Sequence, residues 1–214
     1  MTTRVKICGL TRPEDVASAI ENGAAFLGFI VECPSKRRLS VAQASKLAGP
    51  AKGLAARVAV TVNPDDNLID RILAEMQPDY IQLHGDETPA RAAEIAKRCK
   101  VIKAVGIASD IDMKAAETYA GVCDFILYDA KPPKDETVRG GHGIAIDWNI
   151  IAGAPTPKIF AVAGGLNPGN VARAVAATRA PIFDVSSGVE ANPGEKSHKK
   201  IAAFMREVGL SPSP

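Results

Sequence analysis

Eight short apolar segments recur along the chain, and a helical pattern follows almost every one of them. Most of these segments lack the alternation of apolar and polar residues that marks a strand with one face in water. Such segments are typical of parallel strands that are covered on both faces. The chain is therefore predicted to be an α/β protein with a parallel sheet. The predicted strands span residues 5–8, 26–31, 57–62, 80–83, 101–105, 125–128, 158–163 and 182–185.

The number and regular spacing of these units predict a (β/α)8 TIM barrel, formed as a single domain by residues 1–214. An open doubly wound sheet is the alternative, but no GxGxxG sequence follows the first strand to support nucleotide binding there. The sixth connection is unusual, because residues 131–143 are polar and rich in glycine, and a loop of this length often folds over a ligand. The predicted helices span residues 13–22, 40–47, 64–76, 88–99, 110–119, 148–152, 168–176 and 195–208.

Composition argues against several classes of function. The 214 residues carry a formal net charge of only +2 and no basic run, so binding to nucleic acid or to an anionic membrane is not expected. No stretch approaches the roughly 18 apolar residues of a membrane span, and no signal peptide precedes the first strand, so a cytoplasmic location is expected. The four cysteines show no CxxC spacing and are interpreted as free thiols, not as disulfides or a zinc site.

The last two predicted strands each end in a loop of small residues. One leads into Gly164 and Gly165, and the other leads into Ser186, Ser187 and Gly188. Glycine lets backbone N–H groups approach an anion closely, and a following helix adds a favourable dipole. In β/α barrels a phosphate group commonly lies at the loops after the seventh and eighth strands. These five residues are therefore predicted to bind the phosphate group of a small ligand.

Reactive side chains are expected at the C-terminal ends of barrel strands, and two candidates stand there. Cys8 ends the first strand, where a thiolate can act as a general base if cations lie nearby. Asp129 ends the sixth strand, where a carboxyl group can act as a general acid. The structural alternatives are a small buried side chain for Cys8 and, for Asp129, an ion pair with Lys131 or Lys103.

Other polar residues near strand ends have roles that the sequence leaves open. His84 is interpreted mainly as a structural residue that hydrogen-bonds loop carbonyls, and acid–base chemistry is the alternative. Asp184 is expected to support the phosphate loop by accepting hydrogen bonds from backbone N–H groups. Either Arg37 or Arg38 could hold a substrate carboxylate from the loop after the second strand. Glu190 is interpreted as structural.

Taken together, seven segments of the chain resemble the phosphoribosylanthranilate isomerase family of tryptophan biosynthesis. The resemblance implies a single β/α barrel that uses no metal and no other cofactor. It also implies that Cys8 is the general base, that Asp129 is the general acid and that Arg37 binds the anthranilate carboxylate, while the two loops of small residues bind phosphate. The seven segments are Lys6-Ile7-Cys8-Gly9-Leu10, Ser35-Lys36-Arg37, Gln82-Leu83-His84-Gly85, Leu127-Tyr128-Asp129-Ala130-Lys131, Gly140-Gly141-His142-Gly143, Gly164-Gly165-Leu166-Asn167-Pro168 and Asp184-Val185-Ser186-Ser187-Gly188-Val189-Glu190.

The resemblance implies a specific reaction, the Amadori rearrangement of N-(5-phosphoribosyl)anthranilate to 1-(2-carboxyphenylamino)-1-deoxyribulose 5-phosphate. The expected partner is thus a small-molecule phosphoribosyl substrate. The alternatives are another sugar-phosphate barrel isomerase or epimerase, and a non-catalytic phosphoribosyl-binding protein. A metal-dependent epimerase is disfavoured because the chain has only three histidines to serve as ligands. The sequence does not decide between a monomer and a homodimer.

Overall fold

Eight parallel strands form a closed barrel in the computed structural model, which describes residues 3–131 and 147–209. Each barrel strand pairs with the next one along the chain. The last strand pairs with the first and closes the barrel, so the predicted fold class is confirmed. The strands are β1 (Arg4–Cys8), β2 (Phe26–Val31), β3 (Ala56–Thr61), β4 (Tyr80–Leu83), β5 (Lys100–Ile107), β6 (Phe125–Ala130), β7 (Phe160–Val162) and β8 (Ile182–Val185).

Helices cover the outside of the barrel, and local sequence signals set where several of them begin. Pro13 and Pro89 stand in first turns, where the missing N–H costs no helical hydrogen bond. Ser40 forms a capping box with Gln43. No described helix is long and apolar enough to cross a membrane. The described helices are α1 (Pro13–Glu21), α2 (Val41–Ala48), α3 (Asp66–Arg71, continued by a wider turn over Ile72–Met76), α4 (Pro89–Ala96), α5 (Asp110–Glu117), α6 (Trp148–Gly153), α7 (Val171–Thr178) and α8 (His198–Glu207).

The barrel interior changes from apolar to polar along the barrel axis. At the N-terminal ends of the strands, Phe26, Tyr80 and Phe125 pack edge to face, with ring centroids 5.8 to 5.9 Å apart. Inward-facing residues from alternate strands form layers above this floor. Two fully buried polar residues, Lys6 and Gln82, belong to these higher layers. The apolar floor thus supports a polar centre beneath the C-terminal mouth.

The start of the last helix differs from the prediction. The helix predicted over residues 195–208 begins only at α8, because Glu195–Lys196 forms a short strand antiparallel to Glu190–Asn192. This pair of strands is called the 190–196 hairpin below. Lys196 is 2% exposed, and its ammonium group donates a hydrogen bond to the Glu190 carboxylate at 2.8 Å. A buried tertiary contact therefore overrides the local helical pattern.

Two further features concern the loops at the mouth. A two-residue strand, Arg38–Leu39, runs parallel to the end of β2 and was not predicted. The chain reaches it through a turn in which Glu32 has a φ of 46°. The loop predicted over residues 131–143, with its glycine-rich segment 140–143, lies outside the described residues except for Lys131.

Candidate active site

The predicted site residues meet in one cavity at the C-terminal mouth of the barrel. Side chains and loops from the ends of β1, β4, β6, β7 and β8, together with the loop after β2, line this cavity. Arg37 lines the cavity, whereas Arg38 is exposed and is not part of its lining. Gly188 stands one residue beyond the lining. The predicted residues that line the cavity are Cys8, Arg37, His84, Asp129, Gly164, Gly165, Asp184, Ser186 and Ser187.

Cys8 is a nearly buried thiol at the end of β1, with 7% of its surface exposed. Burial raises the pKa of this thiol, because water no longer solvates the thiolate, and the charge of Lys6 partly offsets the effect. The thiolate, once formed, is therefore a stronger base than an exposed cysteine. Cys8 packs in an apolar cluster of the barrel interior and also lines the cavity among charged groups.

Asp129 lies across the cavity at the end of β6. His84 Nε2 is 3.2 Å from Asp129 Oδ2, and Gln82 Nε2 is 3.5 Å from the other ring nitrogen of this histidine. The structural alternatives for Asp129 are wrong, since Lys131 and Lys103 bond other carboxylates, at 2.7 and 2.8 Å. Gln82 and His84, at the end of β4, therefore form a row of polar side chains that contacts Asp129. His84 was expected to hydrogen-bond loop carbonyls instead.

The two predicted phosphate loops lie against each other. Gly164 and Gly165 adopt φ values of 86° and 62°, which side chains disfavour. A Cβ at Gly188 would lie 1.8 Å from the carbonyl oxygen of Leu166, so the close contact requires glycine. The Ser186 hydroxyl is buried and has no hydrogen-bond partner among the described residues. A buried unpaired hydroxyl costs free energy, and an anion bound in these loops would satisfy it.

Arg37 is held by Glu190, a residue interpreted as structural whose partner the sequence did not indicate. Its Nε and Nη2 atoms donate to the two carboxylate oxygens of Glu190, at 2.6 and 2.7 Å. Lys196 donates to the same carboxylate and, at 3.1 Å, to the carbonyl oxygen of Ser186. The 190–196 hairpin thus connects Arg37 to one of the two predicted phosphate loops. No local pattern reveals the pair, because 153 positions separate its members.

Asp184 faces the barrel interior from β8. Both of its carboxylate oxygens lie 3.1 Å from Nζ of Lys6, which is fully buried on β1. The expectation that Asp184 accepts hydrogen bonds from backbone N–H groups is therefore corrected, because its partner is a cation on the neighbouring strand. The sequence offered one signal that Lys6 faces the barrel interior. Lys6 and Cys8 stand two residues apart on β1, so their side chains lie on the same face of the strand.

Two observations elsewhere in the described chain favour the barrel mouth as the active site. A larger groove between α1 and α2 has no cysteine, histidine or aspartate in its lining. Within residues 3–131 and 147–209, no group of three or more His, Cys, Asp or Glu side chains is arranged to hold a metal ion. The barrel mouth is therefore the best candidate for an active site.

Comparison with known proteins identifies the family. A family model described as N-(5'phosphoribosyl)anthranilate (PRA) isomerase matches residues 5–207. The chain belongs to the phosphoribosylanthranilate isomerase family. It is 46% identical over 207 residues to N-(5'-phosphoribosyl)anthranilate isomerase of Paracoccus denitrificans, with 96% of each chain covered. It is 44% identical to the protein of this name from Caulobacter vibrioides, with 95% of this chain and 94% of the relative covered.

Solved structures of phosphoribosylanthranilate isomerases have the same fold. The crystal structure of the Thermotoga maritima protein matches with a TM-score of 0.88 and 36% identity, covering 97% of this chain and 98% of that one. A complex of a phosphoribosylanthranilate isomerase with reduced 1-(o-carboxyphenylamino)-1-deoxyribulose 5-phosphate matches with a TM-score of 0.84 and 35% identity, at the same coverage. The predicted family, isomerase class and place in tryptophan biosynthesis are confirmed, and the alternative functions are set aside.

Proposed function

We propose that this chain isomerises N-(5-phosphoribosyl)anthranilate with Cys8 as the general base and Asp129 as the general acid. The observation that carries the proposal is the placement of both side chains in one cavity, at the ends of β1 and β6. The shorter way round the barrel between these strands passes through β7 and β8, whose loops are the candidate phosphate site. A ligand with its phosphate in those loops would present its sugar to both groups.

Arg37 would bind the carboxylate at the other end of the substrate. Two of its nitrogens are used by Glu190, but Nη1 has no hydrogen-bond partner in the described part of the chain. A guanidinium group that is fixed along one edge can present its other edge to a planar carboxylate. Binding both anionic ends would hold the sugar still between the acid and the base, which turns remote binding energy into orientation.

The reaction needs one proton donated and one proton removed. Asp129 donates a proton to the furanose ring oxygen, and the bond between C1 and that oxygen breaks to give a protonated Schiff base with the anthranilate nitrogen. The Cys8 thiolate then removes the proton from C2, and the electron pair of this bond moves towards the positive nitrogen. The resulting enolamine tautomerises to the ketose, so no atom is gained or lost.

His84 is proposed to support the acid. Its Nε2 atom lies within hydrogen-bond distance of Asp129, and a backbone N–H donates to the other oxygen of this carboxyl group at 2.8 Å. Two contacts restrict the rotation of the carboxyl group and keep it aimed at the cavity. This is the support that general acid catalysis requires, because the donor must stay within reach of the ring oxygen.

The test follows the loss of fluorescence of N-(5-phosphoribosyl)anthranilate generated in situ. Cys8→Ala and Asp129→Asn should each lower kcat by about 10²–10⁴-fold while KM changes by less than about threefold. Cys99→Ala controls for a thiol that packs outside the barrel, and Asp124→Asn controls for a carboxylate at the opposite end of β6. Both controls should turn over like the wild type.

Each assignment has its own failing result. Wild-type kcat in Cys8→Ala would end the assignment of the base. A rise in KM alone in Asp129→Asn would make Asp129 a binding residue and not an acid. Loss of activity in the control variants as well would show that the assay reports folding and not chemistry.

The proposal also includes a cytoplasmic location, one domain over residues 1–214, and a monomeric or homodimeric state. A structure from Thermotoga maritima described as monomers of a dimeric phosphoribosylanthranilate isomerase is similar, with a TM-score of 0.83 and 35% identity. Light scattering of the purified chain distinguishes the two oligomeric states. Cell fractionation tests the location, and limited proteolysis tests whether the chain behaves as one domain.

A further inference from the structure

Lys6 is a buried cation beneath the proposed base. It stands two residues before Cys8 on β1, so both side chains point into the barrel. Its ammonium group is fully buried and donates hydrogen bonds to the two oxygens of Asp184, each at 3.1 Å. Removing two charges from water costs free energy that their attraction often fails to recover, so such a pair is weak evidence for a stabilising role. The pair therefore calls for an explanation in the chemistry of the site.

Gly28 opens the space in which Lys6 and Cys8 approach each other. It lies on β2 and is the register partner of Cys8. A Cβ at this position would lie 2.9 Å from Lys6 Nζ and also 2.9 Å from Cys8 Sγ. The separation of the ammonium and thiol groups is therefore smaller than the sum of these two distances. Because Gly28 has no side chain, the Lys6 side chain can extend along the barrel interior towards the Cys8 thiol.

We propose that Lys6 is a positioning residue that stabilises the thiolate form of Cys8, while Asp184 holds the ammonium group in place. The proposal rests on the proposed role of Cys8 as the base. Lys6 keeps its proton throughout and exchanges none with the substrate. Its positive charge favours the thiolate before the C2 proton is removed. After Cys8 has taken up that proton, the thiol is neutral and this attraction ends.

The charges around Cys8 act in opposite directions. Burial raises the pKa of Cys8, the charge of Lys6 lowers it and the charge of Asp184 raises it. Burial would lower the pKa of Lys6, but the charges of its two neighbours outweigh burial and raise it, so the ammonium form persists. The members of one ion pair therefore influence the thiol with opposite sign. The other titratable or charged groups near the thiol or lining the cavity are Cys33, Arg37, His84, Asp129 and Lys196.

The first experiment measures alkylation of the full chain by iodoacetamide between about pH 6 and pH 10, resolved by mass spectrometry for each cysteine, because the rate follows the thiolate fraction. Lys6→Met should slow alkylation of Cys8 at neutral pH by about tenfold or more, since the loss of an adjacent charge shifts a pKa by about 1–3 units. Asp184→Asn should speed it. Cys99 serves as the internal standard, because burial raises its pKa to about 11 independently of this site.

Lys103→Met is the matched control. Lys103 is also buried, at 3% exposure, and is paired with Glu87 at 2.8 Å, but it packs beside Tyr119 and not beside the thiol. It should leave the alkylation of Cys8 unchanged. In the fluorescence assay, Lys6→Met should lower kcat by about tenfold or more with KM within about threefold, because thiolate formation and not binding is impaired.

The proposal is overturned if Lys6→Met leaves the alkylation profile of Cys8 unchanged, or if Lys6→Met and Asp184→Asn shift it in the same direction, as a purely structural pair would. If Lys6→Met does not fold, Asp184→Asn and Gly28→Ala decide. Gly28→Ala pushes the ammonium and thiol groups apart and should slow the alkylation of Cys8. The proposal is overturned if the alkylation rate of Cys8 is unchanged in Asp184→Asn or in Gly28→Ala. Full activity of Cys8→Ala would instead refute the role of Cys8 as the base. The alkylation experiment would still show whether Lys6 stabilises the Cys8 thiolate.

Discussion

Replacing Glu190 by glutamine tests how Arg37, the proposed carboxylate-binding residue, is held. The Glu190 carboxylate accepts two hydrogen bonds from Arg37, at 2.6 and 2.7 Å, and one from Lys196, at 2.8 Å. Glutamine keeps one oxygen, loses the negative charge and turns an N–H₂ group towards the two cations. Both cations then lie close together without the charge that compensates them.

The expected magnitude follows from these contacts. Hydrogen bonds to charged groups contribute about 1.5–3 kcal/mol each, and breaking a buried pair costs about 3–5 kcal/mol. Glu190 is buried at 7% exposure while Arg37 reaches into the cavity, so we expect the lower end, about 2–3 kcal/mol. For a chain of this size the Tm should fall by roughly 5–10 °C. KM should rise about tenfold, equivalent to about 1.4 kcal/mol of lost substrate binding, with little change in kcat.

The assays are thermal unfolding and substrate-fluorescence kinetics, with Glu195→Gln as the control. Glu195 lies on the same hairpin, but its side chain is 42% exposed, so its loss should change neither Tm nor KM. A variant at Glu190 with unchanged KM would refute the idea that this residue positions Arg37. An unchanged Tm would refute the estimate of the network's free energy.

The difference in Tm between the wild type and Glu190→Gln should depend on pH. Burial would raise the pKa of Glu190, but the hydrogen bonds from Arg37 and the charge of Lys196 outweigh burial and lower the pKa below its ordinary 4.5. A carboxylate with a lowered pKa contributes stability that is fully present above pH 4.5 and is lost as the pH falls through the folded-state pKa. The Tm difference between wild type and Glu190→Gln should therefore shrink as the pH is lowered below 4.5. A difference that grew on acidification would contradict this account.

Two further substitutions test the loops and the packing of the helices. Gly188→Ala forces a Cβ against the carbonyl oxygen of Leu166. We therefore expect the free energy of unfolding to fall by about 1–3 kcal/mol in denaturant unfolding, and KM to rise. Gly49→Ala is the control and should change neither quantity, because a Cβ there meets no atom within 4 Å. Asp15→Asn removes the charge of a fully buried carboxylate that accepts hydrogen bonds from the start of α8 and from the 190–196 hairpin. It should cost about 1–3 kcal/mol in the same assay, while Glu14→Gln at a half-exposed side chain should have little effect, and equal losses in both would contradict the argument.

Much of the site could be predicted because parallel strands bring their C-terminal ends to one edge. Cys8 and Asp129 were expected at two of these ends, and both line the cavity. The glycines and serines after β7 and β8 are local signals, since such loops need residues that tolerate unusual φ values or close backbone contact. Most strand and helix boundaries were also predicted from the sequence, because the period of apolar residues depends only on neighbours in the chain.

What holds these groups in place was decided by the tertiary structure. Lys6 and Asp184 meet only because β8 closes the barrel against β1, across 178 positions of sequence. Glu190 reaches Arg37 across 153 positions, and Lys196 leaves the predicted helix to join them. Local propensity is worth tenths of a kcal/mol per residue, roughly, whereas a buried charge without a partner costs several. The alternation of apolar segments by itself therefore determined an α/β fold and the strand ends at which chemistry is proposed, and the closure of the barrel determined which charges pair there.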